Sequence, residues 1–302
     1  MLEKKTIELK ITGPLQAANA LRDARRFLRA AGVPAADIVE SLDAKRRYIL
    51  WYPAVKATAD KVKKSLLPVV HPSLNITVRS LRSADWQTKW QKDFKPFYLT
   101  ASARVVPLWF RNKIAPAPGD IVIDPGMAFG TGLHPTTHAM ANFIASAKGA
   151  CKEFLDVGTG TGILSIVAAR NGAKKIWAVD ISKDSVTAAR RNFRLNRCRC
   201  DHAAAVDFEH FSRPGTFDFV AANVLVNPLI AWRDKLVARV RPGGYLAVSG
   251  IWHETAPHFR RHYGSADIIP VAEVKKDGWV AILYRRALPV GSARKGATPC
   301  SR

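Results

Sequence analysis

A junction near the middle of the chain constrains the fold more than any other feature. Phe154-Leu155-Asp156-Val157, apolar enough for a buried strand, passes into Gly158-Thr159-Gly160-Thr161-Gly162 and then into the helical run from Ile163. Glycines at alternate positions let the backbone turn sharply and approach a ligand closely, and a helix starting there offers unpaired N–H groups. On both sides of this junction strand-like and helical runs alternate. The strand-like runs are Gly119–Asp124, Glu153–Val157, Lys175–Asp180, Phe217–Ala222 and Gly244–Gly250, with helices after His134, from Ile163 and from Lys183. That alternation predicts an α/β unit whose parallel sheet is covered on both faces. Ile268–Lys275 and Trp279–Arg285 flank Lys276-Asp277-Gly278, and Asp-Gly between two alternating runs predicts a hairpin. The sheet is therefore expected to end in an antiparallel pair.

The first 82 residues read as a separate module. Thr6–Thr12 alternates like a half-buried strand, and Gly13-Pro14 breaks it. Leu15–Ala31 has helical spacing through Leu15, Ala18, Leu21, Phe27 and Leu28, with Gly32 as the residue that ends it. Asp37–Leu42 and Arg46–Tyr52 read as a hairpin, Pro53 opens a helix to about Leu67, and Asn75–Leu81 is a last strand. The order β-α-β-β-α-β predicts a small α+β, ferredoxin-like domain over 1–82, which carries no chemistry by itself. Residues 83–93 read as a polar helical linker with Trp86 and Trp90 on one face, a staple between domains or a surface for a partner. A second domain is expected over 94–287, and the small, polar, basic tail over 288–302 is expected to be disordered.

Three further elements carry chemistry. Lys175–Asp180 ends in an acid, where a carboxylate can accept both ribose hydroxyls of a nucleoside. It can equally cap the next helix, but Ser182 is placed to do that and leave Asp180 free. A second glycine-rich loop, Asp124-Pro125-Gly126-Met127-Ala128-Phe129-Gly130-Thr131-Gly132-Leu133-His134-Pro135-Thr136-Thr137, puts Pro135 in a first helical turn. Thr136 and Thr137 can present hydroxyls to a ligand or cap their own helix, and His134 reads as a turn residue rather than a base. Finally, Asp218–Leu229 holds a strand ending in Asn223, whose amide points into a crevice or merely turns the chain.

Taken in order, the D-P-G-x-A-F-G-T-G-x-H-P-T-T loop, the D-x-G-x-G-x-G-I-L turn, the V-D strand end and the A-N-x-L-x-x-P-L stretch resemble the bacterial ribosomal protein L11 methyltransferase family (PrmA). Phe94-Lys95-Pro96, Trp109 and Ser249-Gly250-Ile251 resemble it too, and the likeness covers about 83–286. It implies a Rossmann-like class I methyltransferase sheet with S-adenosyl-L-methionine as cofactor. By the same resemblance Thr137, Gly158, Gly160, Asp180 and Asn223 would hold that cofactor. The implied reaction is methylation of amino groups, on lysine side chains or the N-terminal amine, of ribosomal protein L11. Other protein targets, or RNA, are the alternatives. Leu133 and Asn227 depart from the family pattern, where threonine and glycine are usual. No residue announces itself as a general base.

The remaining expectations come from bulk properties. A formal net charge of +23 is attractive to nucleic acid, so non-specific attraction to RNA or ribosomes is expected. Residues 1–82 hold sixteen Lys and Arg against seven Asp and Glu, leaving most of the excess further along, and no dense Lys/Arg run occurs. Cys198 and Cys200 lack the second pair that a zinc site needs, and with Cys151 and Cys300 they read as free thiols. No apolar run is long enough for a membrane span, and the start MLEKKTIELK lacks the apolar core of a secretory signal. A cytoplasmic monomer without a resident metal is expected.

Overall fold

A computed structural model describes residues 5–14, 16–33, 38–42, 46–51, 56–82, 94–124, 130–147, 149–212 and 215–288. The chain divides into two compact units, Met1–Phe94 and Lys95–Arg302. The helical linker expected over 83–93 and the tail beyond 288 lie outside the described residues.

In the first unit, β1 (Lys5–Pro14), β2 (Ile38–Leu42), β3 (Arg46–Trp51) and β4 (Asn75–Arg82) form an antiparallel sheet in the order β2-β3-β1-β4. Alternation buries Ile7, Leu9 and Ile11 on one face of β1. Helix Ala18–Ala30 covers that face with Leu21, Ala24 and Leu28, and helix Lys56–Leu66 with Ala59, Val62 and Leu66. This is the expected ferredoxin-like order. The first helix starts at Ala18 rather than Leu15, and Phe27, counted on its apolar face, is instead 38% exposed. Gly32 ends the helix in the left-handed region (φ 86°), with Val33 N–H donating to the Leu28 carbonyl at 3.0 Å.

The second unit is built on seven strands in the order β10-β9-β8-β11-β12-β14-β13. They are β8 (Glu153–Val157), β9 (Lys175–Asp180), β10 (His202–Ala205), β11 (Phe217–Asn223), β12 (Val240–Trp252), β13 (Ile268–Lys276) and β14 (Trp279–Arg286). Strands β8 to β12 pair in parallel, and β14 runs antiparallel to both of its neighbours. The β13–β14 hairpin turns through Asp277 (φ 50°) and Gly278 (φ 80°), both positive as its two-residue turn requires. The strand order reverses between β8 and β11, so a crevice opens at their carboxyl ends.

One strand is not where its pattern suggested. Gly119–Asp124 was grouped with the parallel sheet, but β7 (Asp120–Ile123) belongs to a separate three-stranded sheet with β5 (Phe97–Thr100) and β6 (Ala103–Pro107). Its backbone is met by side chains of helix Lys183–Leu195 and the residue after it. Asn192 accepts from Asp124 N–H at 2.8 Å and donates to the Asp124 carbonyl at 3.1 Å. Asn196 does the same to Val122, at 2.8 and 2.6 Å. Two amides four residues apart on the helical path therefore meet backbone groups two residues apart on the strand. The pattern also gave no sign of the four-residue, alanine-rich β10.

Candidate functional site

The glycine turn is held open from three sides. Gly158 and Thr159 N–H groups both donate to the Val179 carbonyl, at 2.9 and 3.0 Å, tying the turn to β9. Gly158 has φ 74°, and a Cβ there would stand 2.4 Å from Val224 Cγ1, so the turn lies against the chain leaving β11. Gly162 (φ 80°) opens helix Ile163–Arg170, and a Cβ there would stand 2.6 Å from the Phe193 ring.

Asp180, at the tip of β9, is engaged rather than free. Its Oδ2 accepts from Gly160 N–H at 3.0 Å and its Oδ1 from Ser182 N–H at 2.9 Å. Ser182 also caps the following helix, accepting from Ser185 N–H at 3.3 Å. The expectation that Ser182 leaves Asp180 free is therefore corrected: the serine's own backbone N–H uses one carboxylate oxygen. Each oxygen still has a lone-pair direction open, which is what two ribose hydroxyls need.

Asp156 is the buried acid of the turn, and sequence reasoning gave it no role. It is 1% exposed. Its Oδ2 accepts from the Thr159 hydroxyl at 2.9 Å, the Ser165 hydroxyl at 2.7 Å and Ser165 N–H at 3.2 Å. Its Oδ1 has no hydrogen-bond partner among the described residues. Burial pushes its pKa up to about 6, against the pull of the three donors. The signal available in the sequence was an acid inside an otherwise apolar strand.

On the other side, His134 caps helix Pro135–Ser146 in extended conformation (φ −71°, ψ 138°), with Nδ1 2.8 Å from the Thr136 hydroxyl. This agrees with the turn reading, and burial lowers the His134 pKa. The two threonines differ: Thr136 bonds to His134, while Thr137 is 2% exposed with its Oγ1 unpartnered among the described residues. Thr136 lines a small void with Ser249 and Val280, so this helix sits beside the ends of β12 and β14. Residues 125–129 of the preceding loop lie outside the described residues.

Asn223 ends β11 opposite Ser249 of β12. Its side-chain amide bonds to nothing among the described residues. Gly250 (φ 91°) is required there, since a Cβ would stand 2.0 Å from the Val224 carbonyl oxygen. Beyond it Trp252 packs edge-on against Trp279 with ring centroids 5.2 Å apart, and Trp279 packs against His134 at 4.9 Å. These rings stand on the Asn223 side of the sheet, away from Asp180.

Hydrogen bonds or close packing thus bring Gly158, Gly160, Asp180 and the end of β11 together. Thr137 stands on a neighbouring element. An open glycine cradle and a carboxylate with spare lone pairs, with an amide and two buried oxygens that have no partner among the described residues, suit a polar ligand carrying a nucleoside and a cationic group. Among the described residues no group of three His, Cys, Asp or Glu is placed to hold a metal, and no helix is long and apolar enough to cross a membrane.

Residues 29–287 match the family model for ribosomal protein L11 methyltransferase (PrmA). A ribosomal protein L11 methyltransferase of Geobacter metallireducens is 38% identical over 212 residues, 69% of each chain. One from Ralstonia pickettii is 37% identical over 230 residues, 76% of this chain and 72% of the relative. The crystal structure of a ribosomal protein L11 methylase from Lactobacillus delbrueckii subsp. bulgaricus superposes with a TM-score of 0.57 at 28% identity, covering 64% of this chain and all of that one.

Proposed function

The chain belongs to the ribosomal protein L11 methyltransferase family of S-adenosylmethionine-dependent enzymes, and from that premise we propose that it methylates amino groups of ribosomal protein L11, on lysine side chains or the N-terminal amine. The observation that carries this reading is the Asn223 amide at the carboxyl end of β11, without a partner among the described residues, beside the Gly158 turn and on the side away from Asp180.

In this reading Asp180 and Gly160 hold the nucleoside end of S-adenosyl-L-methionine. Gly158 and Thr137 hold its amino-acid end, and Thr137 Oγ1 gains the partner it lacks among the described residues. When bound, the cofactor supplies an electrophilic methyl group on a sulfonium. The protein's contribution is position: the incoming amine has to lie in line with the methyl–sulfur bond. Asn223 Oδ1 orients that amine by accepting one of its N–H bonds, leaving the lone pair aimed along the line. An ammonium has no lone pair, so the proton leaves first, and we assign it to water rather than to a side chain. Trp252 and Trp279 wall the acceptor side, where an apolar surface favours the neutral amine.

Residues 1–82 select the protein substrate in this reading and take no part in holding the cofactor. The enzyme works as a monomer in the cytoplasm, where ribosomal proteins are found. Both departures from the family pattern, Leu133 and Asn227, are exposed, outside either core. The test is incubation with methyl-labelled S-adenosylmethionine and either purified L11 or a cell lysate. Label in L11 amines supports the proposal. Label in another protein, or in RNA, with none in L11, replaces the substrate and leaves the methyltransferase.

A further inference from the structure

Helix Lys183–Leu195 turns a strongly basic face outward. Its inner positions Val186, Ala189, Asn192 and Phe193 are buried, and Asn192 and Asn196 clamp it to β7 through the backbone of Asp124 and Val122. The outer positions of its last turns and of the turn beyond are Arg190, Arg191, Arg194, Arg197 and Arg199, all exposed. Over residues 190–201 five arginines face a single acid, Asp201. No long consecutive basic run marks this surface, because the arginines are spread over the last turns of the helix and the turn beyond it.

Little in the fold neutralises it. Arg191 pairs with Asp124, and Arg199 stands 3.6 Å from Asp201 with its own side chain 86% exposed. Arg190 donates to the Ala203 carbonyl, which leaves its charge in place. Arg194 and Arg197 have no side-chain hydrogen bond or ion pair among the described residues. Four other arginines of this unit are matched to acids, Arg104 to Asp120, Arg233 to Asp234 and Asp267, Arg241 to Asp218, and Arg260 to Glu273, while Arg170, Arg285 and Arg286 donate to backbone carbonyls. Arg190 and Arg194, and Arg191 and Arg194, stand at helical spacings where like charges repel. Arg197 takes the left-handed position after the helix (φ 50°), where glycine or asparagine is the unstrained choice. Arg194 and Arg197 thus cost the isolated fold something, through like-charge spacing and a left-handed backbone, with no side-chain bond among the described residues in return.

We propose that this arginine face, Arg190 to Arg199 on the clamped helix and the turn after it, is a docking surface for the phosphate backbone of RNA. Guanidinium forks suit phosphate oxygens, and Arg190, Arg191 and Arg194 stand on a helix clamped to β7, with Arg197 and Arg199 in the turn that follows it. No exposed aromatic ring stands in the row to stack on bases, so binding there is independent of sequence. The choice of RNA over another polyanion rests on the reading that the substrate is a ribosomal protein; the surface itself does not.

The experiment compares full-length wild type, R194Q/R197Q/R199Q and a comparator, R22Q/R26Q/R29Q, which removes the same charge from helix Ala18–Ala30. Retention of a labelled RNA hairpin is titrated with salt from about 50 to about 200 mM. The expected result is that R194Q/R197Q/R199Q flattens the slope of log affinity against log salt by about 2 to 3, and the comparator by less than half as much. Methyl incorporation into free L11 stays at the wild-type level. An unchanged slope, an equal loss from the comparator, no RNA retention by the wild type, or stronger retention of poly-glutamate than of RNA would each overturn the proposal. Absence of methyl incorporation by the wild type overturns the L11 reading instead, and the RNA titration still decides the surface.

Discussion

Asp156 Oδ1 is a buried oxygen with nothing among the described residues to bond to, on an acid whose pKa is raised from 3.8 to about 6. Between about pH 4 and 6 the folded chain keeps a proton that the unfolded chain has released. Stability therefore falls as pH rises through this window, and the loss is complete above it. Asp156→Asn fits the same space, with its oxygen toward Thr159 and Ser165 and its NH2 in place of Oδ1. It is expected to raise the stability of the cofactor-free enzyme at pH 8 by about 1–3 kcal/mol and to change it little near pH 4. Urea unfolding at the two pH values checks this; an equal gain at both would mean that ionisation is not the cause. Asp180 differs because both its oxygens already hold backbone N–H groups. Asp180→Ala is expected to weaken S-adenosylmethionine binding by about 1.5–3 kcal/mol, through lost charge-assisted bonds and a looser Gly160. Calorimetry finding unchanged affinity in the folded variant would remove Asp180 from the ribose.

At the scale of elements, the pairing of β7 with a helix is the arrangement that strand patterns did not foresee. Period-2 alternation tells which residues form a strand and which face is buried, but a strand's partner is chosen by what lies alongside after folding. Asn192 and Asn196 look like ordinary polar positions on an amphipathic helix. Only their position beside β7 turns them into substitutes for a neighbouring strand. Asn196→Ala leaves the N–H and C=O of Val122 unpaired, and is expected to cost about 1–3 kcal/mol. Amide hydrogen exchange at Val122 should quicken along with the lower unfolding free energy. Exchange at the wild-type rate would show that water replaces the amide without cost. The terminal hairpin is the opposite case. Asp277-Gly278 between alternating runs was legible in advance, because both positions need positive φ and few residue pairs supply it.

At the scale of the whole molecule, each unit has its own apolar core. Leu9, Ile11 and Leu28 belong to one, and Leu155, Phe217 and Leu246 to the other. A chain beginning near Ser83 should therefore fold, bind S-adenosylmethionine with the affinity of the full enzyme, and methylate L11 poorly. Full activity of that truncated chain on intact L11 would remove substrate selection from residues 1–82.

What the sequence determined by itself is everything that depends on neighbours along the chain. Glycine spacing specified the turn after β8, the acid ending β9 and the asparagine ending β11 were in view, and apolar periodicity separated a β-α-β-β-α-β module from an α/β unit. Those signals are local, set by backbone sterics and by which face of a strand or helix leaves water. The tertiary structure decided what depends on neighbours in space. It spent part of Asp180 on Gly160 and Ser182, left Thr137 Oγ1 and Asp156 Oδ1 unpaired among the described residues, set Asn192 and Asn196 against β7, and brought together arginines that no run in the sequence had marked. A side chain's hydrogen-bonding and charge state follow from what stands within a few ångströms of it, and packing brings residues that near across any separation in sequence.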